Sequence, residues 1–140
     1  MIKKTVVDSS VIIKWLNTDN EQDLEKSDKL LQQARDGDIE LLAPELSKYE
    51  VGNVLLKGKQ LNPDQAMVSL GTVYALPITY VADSQELAQD AYSMAHNLGI
   101  SYYDASFMSL AKQQNAILVT GDIKDQTRSG SIKVILLKDY

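Results

Sequence analysis

Five short apolar runs, Lys3 to Val7, Ile39 to Ala43, Ile78 to Val81, Ala116 to Thr120 and Ile132 to Leu137, alternate along the chain with segments whose apolar residues recur at helical spacing. Runs this short and this apolar read as buried strands. Strands separated by helices require βαβ crossovers, and hence a parallel sheet covered on both faces. The expected fold class is therefore α/β: a three-layer α/β/α sandwich around a central, mainly parallel sheet of about five strands.

Local signals place the helices. Ser9 and Ser10 open one that carries Val11, Ile12, Trp15 and Leu16, and Leu24, Leu30, Leu31 and Ala34 mark a second that closes near Gly37. Pro44 is expected at the first position of a third helix, which holds Val51, Val54 and Leu55 and ends at Gly58. Asn62-Pro63-Asp64-Gln65 has the form of a capping box, with Asn62 as cap and Gln65 reaching back. Asp83 and Ser84 offer a cap for a helix that Gly99 terminates, and a last helix runs from about Tyr103 to Asn115. Trp15, Tyr49, Tyr80, Tyr102 and Tyr103 stand in apolar runs and are expected in the core rather than stacked on bases.

Composition narrows the chemistry. With 140 residues and 44% apolar content the chain can bury one core but not two, so one domain over 1–140 is expected. No run approaches the ~20 apolar residues of a membrane span, and the N-terminus has no signal-peptide region, so a cytoplasmic protein without membrane association is expected. Cysteine is absent and His96 is the only imidazole, which excludes thiolate and histidine-rich metal sites. Any metal must be held by oxygen, which favours Mg²⁺ or Mn²⁺. The formal charge of −5 opposes a nonspecific grip on a polyanion unless several acids surround divalent ions that reverse the local field.

In an open parallel sheet, ligands bind beyond the carboxyl ends of the strands, so acids that directly follow a strand carry the most information. Asp8 closes KKTVVD and Asp122 closes AILVTGD. Asp104 opens the helix YYDASFMSLA, where the helix dipole favours its ionised form. Glu50 interrupts the apolar stretch PELSKYEVGNVLLK, sharing a helical face with Asn53 and Lys57, and if buried it needs a partner. Four acids from separate elements, meeting at one edge, could hold one or two hard cations and activate water for attack on phosphate. Singly, three of them have a plainer reading: Asp8 as a helix cap, Asp104 as a first-turn acid, Asp122 as a turn residue. Asp125 is a possible auxiliary ligand but reads first as a loop acid, Lys14 either touches RNA phosphate or is solvated, and His96 is expected to be structural.

VVDSSVIIKW, PELSKYEVGNVLL and YYDASFMSLAKQQNAILVTGD, in this order and at these intervals, resemble the PIN domain, and in particular the VapC-like toxins of toxin–antitoxin pairs. The resemblance spans nearly the whole chain. Its acids fall on Asp8, Glu50, Asp104 and Asp122. Its hydroxyl residues match Ser9 or Ser10 and Thr120, which would orient the carboxylates, and its polar residue beyond the glutamate matches Asn53. The resemblance implies a PIN-like fold and an endoribonuclease using Mg²⁺ or Mn²⁺. It also implies a homodimer neutralised by a small antitoxin, for which exposed aliphatics on the helices from Leu24 to Ala34 or Pro44 to Leu56 could form a groove. Two other classes stay open: a catalytically inactive RNA- or protein-binding module, and a phospho-accepting domain. The latter ordinarily has adjacent acids after its first strand, where this chain has Ser9 and Ser10 after Asp8.

Overall fold

A computed structural model describes residues 2–122 and 130–140. Five parallel strands, β1 (Lys3–Val7), β2 (Ile39–Pro44), β3 (Ile78–Val81), β4 (Ile117–Thr120) and β5 (Val134–Leu136), form one sheet in the order β3-β2-β1-β4-β5. The chain builds outward from β1 to β2 and β3, then returns to add β4 and β5 on the other side. Among the described residues six α-helices accompany them: α1 (Ser9–Ile12), α2 (Leu24–Arg35), α3 (Leu46–Asn53), α4 (Pro63–Ala75), α5 (Gln85–Leu98) and α6 (Tyr102–Gln113).

Strand alternation divides the core in two. Val7, Leu41, Ala43, Ile117 and Val119 pack with Val11, Ile12, Leu30, Val51, Leu55 and Val73 from α1 to α4 and the turn after α3. Val6, Leu42 and Leu118 point the other way, onto Leu87, Phe107, Met108 and Leu110 of α5 and α6. A central strand must be apolar at every position to serve two such layers, which is why β4 is buried throughout. This is the expected three-layer α/β sandwich.

Several local signals are met. Asn62 accepts from the Gln65 amide at 2.9 Å, and the Gln65 side chain accepts from the Asn62 amide at 3.0 Å, completing the capping box. Ser84 caps α5, and Gly99 ends it with a positive φ of 67°. Trp15 packs against the core and donates its indole N–H to the Ser27 carbonyl at 2.9 Å.

Other expectations are corrected. Pro44 closes β2 instead of opening a helix, because its partner is Val81 of β3 and the next amide, Glu45 N–H, bonds the Val81 carbonyl at 3.0 Å. α3 does not run unbroken to Gly58 but widens into a π turn at Val54–Gly58, where Lys59 N–H reaches the Val54 carbonyl at 2.8 Å. The last strand is shorter than its apolar run, since Leu137–Asp139 turn as a 3-10 helix. Tyr49, Tyr102 and Tyr103 lie exposed rather than in the core. No described helix is long and apolar enough to cross a membrane.

Lys59 and Lys14 converge on Glu21 at 2.6 and 3.2 Å, with all three side chains largely shielded from solvent. Lys14 also donates to the Gln22 carbonyl at 2.7 Å, and Lys59 to the Asp19 carbonyl, so the segment after α1 is strapped to the π turn.

Two substitutions test the packing. Leu118→Ala should cost about 2–5 kcal/mol, because it opens a cavity beneath α6. Asn62→Ala should cost about 1 kcal/mol by removing the cap of α4. Urea denaturation reads both, and a larger loss for the cap than for the core would contradict this picture.

Candidate active site

All five strands point the same way, so their carboxyl ends share one edge. The order reverses at β1, which lies between β2 and β4, and the crevice at such a switch point is where open α/β sheets bind ligands. Asp8 follows β1 and Asp122 follows β4, the two strands that flank this crevice.

Asp8 holds the capping position of α1, yet its side chain caps nothing. Its Oδ2 instead accepts a 2.7 Å hydrogen bond from the hydroxyl of Thr120, the fully buried last residue of β4. The same Thr120 oxygen accepts the Asp122 amide N–H at 3.0 Å. One hydroxyl thus orients the acid of β1 and the backbone that carries the acid after β4. Ser10 reinforces the junction, its Oγ accepting the Gly121 amide at 2.9 Å. A Cβ at Gly121 would come within 3.3 Å of that oxygen, so glycine suits the close approach.

Glu50 projects from the second turn of α3, which follows the strand beside β1. Its Oε1 accepts a 2.7 Å hydrogen bond from Ser9, the buried residue after Asp8. Burial raises the Glu50 pKa, the Ser9 hydrogen bond opposes the rise, and the charges of Asp8 and Asp104 add to it. Asp104 stands in the first turn of α6, whose cap Ser101 accepts its amide at 2.9 Å. Its pKa is raised chiefly by burial and next by Asp8, with Ser101 opposing and Asp122 adding. Asp8, Glu50, Asp104 and Asp122 are therefore linked by mutual repulsion across one edge.

Among the described residues, however, no three acids stand close enough together to clasp an ion as they lie. The described ion pairs go to Glu21, Glu45 and Asp90, with none to Asp8, Glu50 or Asp104. The donors are all hard oxygens, three of the carboxylates (Asp8, Glu50 and Asp104) are half-buried, and repulsion among them is not offset by these lysines. That chemistry fits Mg²⁺ or Mn²⁺ and does not fit a softer metal.

The remaining candidates lie apart. Asn53 is exposed at the end of α3, and its side chain makes no cap hydrogen bond to the π turn. Lys14 is taken up by Glu21 and retains only 9% side-chain exposure. His96 is exposed on α5. Asp125 lies outside the described residues. Sequence reasoning named Ser9 and Ser10 as alternatives, but they divide the work, Ser9 holding Glu50 and Ser10 holding the loop after β4. It missed Ser101, although Ser three residues before Asp104 is an ordinary cap signal.

The structure is similar to DNA-bound VapBC from Salmonella typhimurium, with a TM-score of 0.72 at 14% identity, covering 98% of this chain and 99% of that one. It is also similar to VapC20 of Mycobacterium tuberculosis, a sarcin-ricin loop cleaving toxin, with a TM-score of 0.70 at 12% identity, covering 93% and 98%. A protein of Pyrobaculum aerophilum gives a TM-score of 0.68 at 21% identity, covering 99% and 92%. At these identities the likeness is one of fold. No curated protein matches the sequence. The family model of the PIN domain matches residues 5–128, a span that takes in β1 from Thr5 onward, β2, β3, β4 and all four acids. By that match the chain belongs to the PIN domain family.

Proposed function

We propose that the chain is a divalent-metal-dependent endoribonuclease, the toxin of a toxin–antitoxin pair. The observation that carries this reading is the pair of hydroxyl-to-carboxylate hydrogen bonds, Thr120 to Asp8 and Ser9 to Glu50, which orient two acids at the switch point of the sheet. A helix cap or a turn acid needs neither bond. Family membership and the toxins among the structural neighbours support the same reading.

Asp8, Glu50, Asp104 and Asp122 would hold Mg²⁺ or Mn²⁺, which would supply charge to offset a phosphodiester and to lower the pKa of water. Thr120 and Ser9 keep the Asp8 and Glu50 oxygens aimed while the site fills and empties. Glu50 would take the proton that the attacking water loses as the bond to phosphorus forms. The leaving oxygen departs opposite to the incoming one.

An antitoxin partner has a candidate landing surface. Leu30 and Leu31 of α2 are buried, which removes that helix from the expected groove. Val54, Leu56, Met67, Val68, Leu70 and Tyr74 are exposed on the π turn and α4 and offer an apolar face to a small antitoxin or a second copy of the chain. A catalytically inactive binding module is the second reading, and it is favoured by the separation of the acids among the described residues.

Three measurements test the proposal. Asp8→Asn or Asp104→Asn should abolish RNA cleavage with Mg²⁺ and toxicity in cells while the circular dichroism spectrum is kept; full cleavage by either variant would favour the binding module. Thr120→Val should weaken Mn²⁺ binding or cleavage about 10–100-fold, and an unchanged variant would remove the positioning role. The third is pH dependence. The ordinary values of Glu50 and Asp104 are 4.5 and 3.8, and both are raised, so in EDTA the folded state binds more protons than the unfolded state just above those values. Their contribution to stability is full below the ordinary values and is lost as pH rises through the raised ones. Compared with Glu50→Gln, the wild type should therefore lose Tm as pH rises from about 4.5 in EDTA, and Mn²⁺ should reverse the trend. A relative gain in Tm over that window without metal would be the wrong sign.

A further inference from the structure

A groove of about 410 Å³ lies at the carboxyl edge of the sheet, lined by Ser10 after β1, Asp122 after β4, Lys138 after β5, and Gln22 and Asp23 ahead of α2. Its size falls in the range of ligand pockets. Lys138 is placed there by strand register. Thr120 and Leu136 are partners in the parallel ladder of β4 and β5, and Asp122 and Lys138 each follow by two residues. A lysine and one of the four acids therefore leave neighbouring strands side by side and line the same groove.

The backbone of this groove is held from three directions. Ser10 Oγ accepts the Gly121 amide at 2.9 Å. Lys14 donates to the Gln22 carbonyl at 2.7 Å, from within the shielded cluster in which Lys14 and Lys59 share Glu21. The turn that carries Lys138 is tied to α2 by the Tyr140 hydroxyl, which donates to Gln33 Oε1 at 2.6 Å, and the Lys29 ammonium lies 5.4 Å from the centre of the Tyr140 ring. The two buried lysines on Glu21 thus have a consequence at the edge: they fix the segment that brings Gln22 to the groove.

Three donors remain unengaged among the described residues. Ser10 accepts a hydrogen bond but passes its own hydroxyl proton to no described acceptor, and the exposed Gln22 amide group and Lys138 ammonium are in no described hydrogen bond or ion pair. The flexible four-carbon stem of a lysine lets its charge follow a ligand along the wall. Two acids oppose an anion here. Asp122 is one of the four that the proposed function gives to the cation, and Asp23 is exposed, where water and salt screen it. With the ion seated, Lys138 is the charge that a phosphate meets.

Resting on the ribonuclease reading above, we propose that this groove holds the RNA phosphate next to the scissile one, with Lys138 as the positioning residue that pairs with it while Ser10 and Gln22 donate to its oxygens. Phosphate contacts fix the register of a strand and carry no sequence information. Lys138 thus sets where the backbone lies relative to the acids, whatever the bases are.

The test reads one phosphate contact directly. A fluorescein-labelled single-stranded RNA of mixed sequence is bound to the protein with Ca²⁺, a hard cation that oxygen ligands accept, and anisotropy is followed as salt rises from about 50 to about 200 mM. Lys138→Gln should weaken binding and reduce the slope of log affinity against log salt by about 0.7, the loss of one contact to a single strand. Lys138→Arg should keep the slope. Lys112→Gln, in the last turn of α6 at the opposite end of the sheet, should leave it unchanged. An unchanged slope in Lys138→Gln, an equal fall in Lys112→Gln, or no binding by the wild type overturns the proposal. A labelled oligoglutamate that loses affinity in Lys138→Gln while the RNA does not overturns it in favour of an acidic peptide. A fall confined to Lys138→Gln, in a protein that cuts no RNA with Mn²⁺, keeps the groove and sinks the ribonuclease reading; cleavage with an unchanged slope does the reverse.

Discussion

The hydrogen bond from Thr120 to Asp8 joins residues 112 positions apart in sequence, and the geometry of the functional edge depends on it. It exists because β1 and β4 are parallel neighbours, paired from Thr5 and Ile117 to Val7 and Val119, so that the residue after one strand meets the last residue of the other. Most buried hydroxyls find an acceptor, and for Thr120 the acceptor is the carboxylate at the capping position of α1. The helix cap is given up, and an oriented acid is gained.

Electrostatics gives that orientation its meaning. A chain of net charge −5 places four acids along one edge, where burial and mutual repulsion already raise the pKa of Glu50 and Asp104. Among the described residues, Lys14 and Lys59 pair with Glu21 and Lys48 with Glu45. Burying Glu50 and Asp104 as carboxylates costs stability, and under the proposed function a divalent cation would recover it by binding only the folded state. The same cation would answer the objection that an acidic protein should repel RNA.

Much of this arrangement was legible in the sequence, because its signals are local. The apolar runs gave the strands, Asn62 and Gln65 gave the capping box, and acids placed just after strands pointed to the edge they share. What stayed hidden depends on pairings between distant residues. Pro44 carries an honest helix-start signal, and only its pairing with Val81 extends β2 through it. The exposure of Tyr49, Tyr102 and Tyr103 could not be read from apolar neighbours, because a helix that packs on one side leaves its other face to water. The partner of Glu50 was unreadable for the same reason, since Ser9 is 41 residues away and meets it only when α3 docks beside α1. The π turn at Val54–Gly58 has no sequence signature at all, and its clamp by Lys59 and Glu21 is a tertiary contact.

The central claim is that the edge at Asp8 closes around a divalent cation. Crystals soaked in manganese and measured at its absorption edge test it directly. The account predicts an anomalous peak within about 2.0–2.6 Å of carboxylate oxygens from Asp8 and at least two of Glu50, Asp104 and Asp122. A map without a peak among these residues, with the acids still spread apart at saturating manganese, would contradict it.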